Sequence, residues 1–299
     1  MLERWRTRRP THSGLTLPLI HELTVITKQP LMEDEKVPIS NESLRQLTVA
    51  AALPHSCSEQ DLRRLFREGR DNTLSILLYN AISRPPPSHG TESSFHSFWD
   101  RNTRDILELI FPDGESIRDS NRNTSTYRFH PDYGFLLKGL CTFRGEEKGP
   151  ENLGDPRVEL RDKLIWAYHP APYVFGYYVT GTRLTLAAIG PPPSLGGKPV
   201  VVDIASSNLQ RRSSRVEHIC HLINLATLFT PVTDMVDIRD AEFQQIHRSY
   251  CSIELSGPRV IKTYTCLDSE ERIDRLKCVY NQLVQKKVPC VDELTHVSG

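Results

Sequence analysis

The chain has 299 residues, with 37 basic and 37 acidic side chains, a formal net charge of zero and a pI near 7.2. That balance excludes recruitment to nucleic acid or to a membrane by a global field, so any such contact rests on a local patch. Seven cysteines (Cys57, Cys141, Cys220, Cys251, Cys266, Cys278 and Cys290) form no CxxC pair, which argues against a zinc site and for reduced thiols in an intracellular compartment. No apolar run approaches the roughly 20 residues of a membrane span, and the first residues lack the apolar core of a secretory signal.

Residues 1 to 38 open on Arg4, Arg6, Arg8 and Arg9 and continue through scattered prolines, which suggests an arm without a core of its own. Ser40 to Phe66 reads as helical: Ser43 caps a first helix, and Ser58-Glu59-Gln60-Asp61 opens a second that contains Leu62, Leu65 and Phe66. A third helix over Thr73 to Ile82 ends at Ser83-Arg84-Pro85-Pro86-Pro87. Beyond that linker, Ser93 or Ser94 caps one long helix. Its stripe of Phe95, Phe98, Trp99, Ile106, Leu107, Ile110 and Phe111 leaves Glu108 at the edge of the apolar face. Glu108 reads either as a glutamate reaching water or as a carboxylate turned toward the sheet that follows.

Tyr127 to Lys148 reads as two strands joined at Lys138-Gly139, because aromatic and branched residues flank a glycine free to take positive φ. A turn centred on Gly139 sets Asp132 opposite Glu146, and Lys148 shares their face while Glu147 points the other way. Two carboxylates so close repel unless a proton or cation lies between them. Mg²⁺ fits the need, held by Asp132, Glu146 and the backbone carbonyl of Glu147, with Lys148 orienting water or offsetting charge on a phosphate. On the same face Gly134 lies opposite Arg144, which offers a phosphodiester backbone both space and a positive neighbour. The plain alternative is an exposed hairpin with a solvated Glu/Lys cluster.

A helix follows from Asp155 to Tyr168, with Val158, Leu160, Leu164, Ile165 and Tyr168 inward, and then strands over Tyr173 to Val179, Leu184 to Ile189 and Pro199 to Ala205. The basic patch with Arg211, Arg212 and Arg215 opens a long apolar helix, where it can clamp phosphate or simply be solvated. From about Phe243 the character changes. Ile253-Glu254-Leu255 and Arg259 to Tyr264 read as strands, and Asp268 begins a helix reaching about Gln285.

Pro131-Asp132 followed by Glu146-Glu147-Lys148 resembles the PD-(D/E)xK signature of restriction-endonuclease-like nucleases. The order helix, acid-bearing strands, helix, strands is the core such a domain requires. The strand ending in Lys262, before a helix with Glu270 and Glu271, is similar to the opening of a protein-kinase N-lobe, with Lys262 on ATP phosphates and Glu271 as its partner; no HRD or DFG motif accompanies it. Together, residues 95–100, 117–126, 131–133, 143–148 and 170–174 look like the Crinkler-type effector and toxin proteins of oomycetes and fungi. That resemblance covers about residues 90 to 299, although no Leu-Phe-Leu-Ala-Lys translocation motif is found.

The expected architecture is therefore α/β: a restriction-endonuclease-like mixed sheet flanked by helices. It comprises an N-terminal arm and helical extension over 1–88, a nuclease-like domain over 89–235 and a partial kinase N-lobe-like segment over 236–299. The resemblance implies action on DNA by Asp132, Glu146 and Lys148, with Glu108 on a second ion and Mg²⁺ as cofactor. It also implies the nucleus of a host cell as destination, with the cytoplasm as alternative. A homodimer and a host-protein partner remain open, as do two other functions, an inactive binding module and an ATP-binding fragment.

Overall fold

The computed structural model describes residues 2–7, 17–49, 57–120, 122, 124–126, 129–194, 197–236, 243–248, 251–256, 259–264 and 269–286. In chain order the helices and strands of the first part are α1 (Leu2–Thr7), α2 (Leu23–Thr27), β1 (Val37–Ile39), α3 (Asn41–Val49), α4 (Glu59–Leu62), β2 (Phe66–Glu68) and α5 (Thr73–Ser83). Then come α6 (Glu92–Asn102), α7 (Arg104–Ile110), β3 (Glu115–Arg118), β4 (Tyr133–Leu137), β5 (Leu140–Lys148), α8 (Pro156–Asp162), β6 (Val174–Thr180), β7 (Arg183–Gly190), β8 (Val200–Asn208), α9 (Arg212–Ala226) and α10 (Phe229–Met235). The last are β9 (Phe243–Arg248), β10 (Cys251–Ser256), β11 (Arg259–Tyr264) and α11 (Ser269–Gln285). Packing divides the chain into two units, Met1–Gln244 and Gln245–Gly299.

The β4-β5 hairpin is the seed of the first unit. Lys138 and Gly139 take φ of 53° and 83°, the left-handed pair that a two-residue hairpin turn needs. Next to the turn Leu137 faces Leu140. A shift between Phe135 and Leu136 then restores the expected register, so Gly134 faces Arg144 and Tyr133 faces Gly145. The hairpin sits inside a six-stranded mixed sheet of order β3-β4-β5-β6-β7-β8, flanked by helices. Only β5 and β6 run parallel, and the connection that makes this possible carries α8.

Alternation along β5 then separates two kinds of chemistry. Phe143 stacks on Tyr177 and on Phe229 of α10, and Phe229 also stacks on Phe111 and Phe175, so one face of the sheet is an aromatic layer. Gly145 is required there: a Cβ would lie 2.3 Å from the Tyr177 ring, which crosses the strand at that point. The other face carries Arg144, Glu146 and Lys148.

The elements around the sheet depart from expectation in instructive ways. The helix expected over Phe95 to Phe111 is two, broken at Thr103 (φ −134°, ψ −66°), and Thr91 rather than a serine stands at its N-cap. Ser40, not Ser43, supplies the first cap, its hydroxyl accepting the Ser43 amide. Phe66 lies in β2, paired parallel with β1, instead of extending the helix begun at Glu59. α8 ends at Asp162; Val158 and Ile165, expected inward, are exposed, while Leu160, Leu164 and Tyr168 are buried as expected. The N-terminal residues share in the core: Trp5, Leu23, Leu31 and Val37 belong to the same apolar cluster as Trp99 and Phe143.

One core residue makes the fold acid-sensitive. His218 of α9 is fully buried, with Nε2 3.1 Å from the Asn102 carbonyl, and burial pushes its pKa down to about 3. Between that value and the ordinary 6.5 of the unfolded chain, the unfolded state binds the extra proton, so stability falls as pH drops through this window. From pH 6.5 to 5 this one group costs about 2 kcal/mol. His218→Gln keeps a donor for Asn102 and removes the titration. Urea unfolding at the two pH values is expected to show that much less acid loss in the variant, and equal losses would refute the assignment.

The second unit has a three-stranded sheet of order β11-β10-β9, with β10 and β11 antiparallel, and the helix α11. The strands and helix expected from the sequence are present. The Gly257-Pro258 connection and Asp268, expected to begin the helix, lie outside the described residues.

Candidate functional site

Asp132 precedes β4 and is fixed by its neighbour in space: its Oδ2 accepts the backbone N–H of Glu147 at 2.6 Å. On the Glu146 face, two ammonium groups gather three carboxylates. Lys148 Nζ lies 3.7 Å from Asp132 Oδ2 and 3.2 Å from Glu159 Oε2. Lys163 Nζ lies 3.0 Å from Glu159 Oε2 and 3.8 Å from Asp132 Oδ1, and it donates to Glu146 Oε2. Glu159 and Lys163 are one turn apart at α8 and its C-cap, so the β5-α8-β6 crossover lays them over the carboxylates of β5.

Burial governs the protonation of this group. Glu146 is 1% exposed, and desolvation followed by the charge of Asp132 pushes its pKa up to about 8, against the pull of Lys163. Lys163 is raised in turn by its bond to Glu146, although its own burial works the other way. Glu92, at the start of α6, is also raised, first by desolvation and then by Asp132, which places a fourth carboxylate in the same electrostatic field.

The opposite face holds a second charged network. Arg118 of β3 donates to Glu147 Oε2 at 2.7 Å and to Asp100 Oδ1 at 2.5 Å, and Tyr177 donates its hydroxyl to Glu147 Oε1. His96 Nε2 stands 3.9 Å from Glu147 Oε2. The Glu147 side chain is fully buried here, as the alternation along the strand requires, so only its backbone is available to the Glu146 face.

The structure therefore brings Asp132, Glu146 and Lys148 together and leaves other expected site residues elsewhere. Glu108 pairs with Arg104 at 2.8 Å, one turn away on α7, and the helix carboxylate coupled to Asp132 is Glu92 instead. Arg144 is corrected from a surface cation to a core one: it is 1% exposed and donates to the Thr124 carbonyl and the Tyr168 hydroxyl. The same holds for Arg215, whose guanidinium donates to the carbonyls of Leu209, Ile82 and Arg84 at 2.6 Å each. Arg212 donates to the carbonyls of Leu47 and Ser83, whereas Arg211 stays exposed. In the second unit, Lys262 lies 5.0 Å from the centre of the Tyr264 ring, and Glu271 pairs with Arg275.

Glu92, Glu159 and Lys163 are absent from the sequence reading. A glutamate and a lysine four apart beside Leu160 and Leu164 are the only sequence signal for the second and third.

The donor chemistry suits a hard cation, because three carboxylates converge on the single position taken by the Lys163 ammonium. Among the described residues, however, no group of three or more His, Cys, Asp or Glu side chains stands ready to hold a metal ion. Lys163 serves as the counter-ion in its place.

Fold and site together define an α/β protein with a lysine-bridged carboxylate cluster at the carboxyl end of the parallel strand pair in its six-stranded sheet. Over 212 residues, 70% of its length, the chain is 37% identical to Crinkler effector protein 8 of Phytophthora infestans, which supports a relationship to Crinkler-type proteins. The chain spans 35% of that relative's length. No family model matches the sequence, and no solved structure matches it. No described helix is long and apolar enough to cross a membrane.

Proposed function

We propose that this chain is a Crinkler-type effector segment whose first unit hydrolyses phosphodiester bonds of nucleic acid, DNA in the first instance, with Mg²⁺ as cofactor. The observation that carries the proposal is the placement of Asp132, Glu146 and Lys148 on one face at the end of β5, as in a PD-(D/E)xK site. Asp132, Glu146 and the Glu147 carbonyl would hold the ion, which when bound supplies a water of lowered pKa and a positive charge for the phosphate. Lys148 orients the attacking water or offsets charge on the phosphate. For Glu146 to hold the ion, Lys163 would have to give up its pairing with Glu146, and Glu159 would remain as its partner. The exposed Arg211 is the remaining candidate for phosphate contact from the basic patch.

The test is incubation of the whole chain with supercoiled plasmid in Mg²⁺ and in EDTA. Relaxed or linear DNA is expected with Mg²⁺ alone, and plasmid left intact in both sets the DNase reading aside. A second reading, a binding module that keeps the fold without catalysis, is favoured by the two lysines that already neutralise the carboxylates. It predicts salt-sensitive retention of labelled DNA with no cleavage and no response to EDTA.

A further inference from the structure

Away from the carboxylate cluster, the C-terminal end of α2, the helix α4 and the middle of α9 enclose a cavity of about 220 Å³. Lys28, Lys36, Arg63 and Arg64 line it together with Gln60, Cys220 and His221, and no aspartate or glutamate does. None of the elements that build the Glu146 cluster contributes to it.

Its floor contains an unusual group. His221 is 3% exposed, and neither ring nitrogen has a hydrogen-bond partner; its nearest acid, Glu217, stands 4.0 Å from Nε2. Leaving such a buried polar group unpaired is unfavourable, so a buried imidazole turned into a cavity calls for an outside partner. Burial holds this ring neutral, with its pKa pushed down to about 4, so it carries one N–H to donate. Cys220 beside it is held up at about 12, which makes the thiol inert lining rather than a nucleophile.

The cations around the rim are only partly committed. Lys36 pairs with Glu33 at 2.9 Å, Arg63 with Glu59 at 3.1 Å and Arg64 with Glu217 at 3.7 Å, all three acids lying outside the lining. Lys28 is exposed and has no acidic partner among the described residues. Two guanidinium forks and two ammonium groups around one concavity match the oxygens of a phosphate dianion better than a single carboxylate. The volume lies below the roughly 300 Å³ at which pockets for drug-sized ligands begin, so the ligand is small.

We infer that this cavity is a binding site for a small phosphate-bearing anion, inorganic phosphate or a compact phosphate monoester, held by Lys28, Lys36, Arg63 and Arg64 over the His221 ring.

The full chain is titrated with inorganic phosphate and, separately, with glycerol 3-phosphate, by calorimetry and thermal melting, against NaCl of matched ionic strength. Saturable binding with a rise in melting temperature beyond that of NaCl is expected, and the tighter of the two anions identifies the ligand. Lys28→Ala and Arg64→Ala, both at partly or fully exposed side chains, are each expected to weaken binding about tenfold. Their unliganded melting temperatures report that the fold is intact. In ¹⁵N spectra the His221 ring signal is expected to shift on saturation. Lys148→Ala is expected to leave the affinity unchanged, and loss of binding in that variant would place the anion on the Glu146 cluster and overturn the inference. Absence of saturation beyond the NaCl control, or undiminished binding in the Lys28→Ala/Arg64→Ala double variant, would also overturn it.

Discussion

Lys148→Ala is expected to slow Mg²⁺-dependent plasmid nicking by about 10²–10³-fold, the usual cost of removing one preorganised group that meets transition-state charge. The geometry allows this loss without collapse of the fold. Asp132 would keep the Glu147 N–H at 2.6 Å, and Glu159 would keep Lys163 at 3.0 Å, so neither carboxylate is stranded. Urea midpoints close to that of the native chain, combined with the large rate loss, are therefore the anticipated pair of results. Asp132→Ala should lower nicking further, to background, through loss of the ion and not through the water. Lys148→Ala cleaving at the native rate would remove the lysine from the chemistry and leave the binding module as the better reading.

The second large effect concerns stability. Arg118→Met is expected to destabilise the first unit by about 3–5 kcal/mol, because it leaves Glu147 buried without its ion partner. Glu147 is wholly enclosed, and burial already raises its pKa against the pull of Arg118. Tyr177 still donates a hydrogen bond but brings no charge. Substituting both partners with apolar residues of similar volume, as in Arg118→Met/Glu147→Leu, should recover most of the loss. Urea unfolding of the single and double variants decides the matter: a single variant within about 1 kcal/mol of native stability would mean that the pair contributes little.

How far the sequence revealed this arrangement depends on the range of the interaction. The hairpin was legible because glycine, aromatic alternation and chain proximity all act locally. Even so, the register shift beside Leu136 was invisible, since nothing in Leu-Cys-Thr announces it. Thr103 breaks a stripe of apolar residues that remains periodic on both sides, so two helices read as one. Arg144 read as a surface cation because its strand's central position, with neighbours on both sides, appears only once β6 has crossed over to pair with β5. Glu159 and Lys163 look like a solvated helical pair in the sequence, and they meet Glu146 through the same crossover. Long-range pairing of this kind leaves no periodic trace. The Crinkler-type resemblance read from short motifs did receive support, from an alignment 212 residues long.

The anchoring of Asp132 has a consequence for how this protein can vary. Its carboxylate hangs from the amide of Glu147, and its carbonyl accepts from Arg118 at 3.3 Å, so two other strands hold the residue in place. The connection from β3 that delivers it is anchored as well: Thr124, Ser125 and Thr126 are buried, the Thr124 carbonyl accepts from Arg144 and the Ser125 carbonyl from the Ile165 N–H. Substitutions that keep these bonds can accordingly alter the rim of the site while the Asp132 carboxylate stays put.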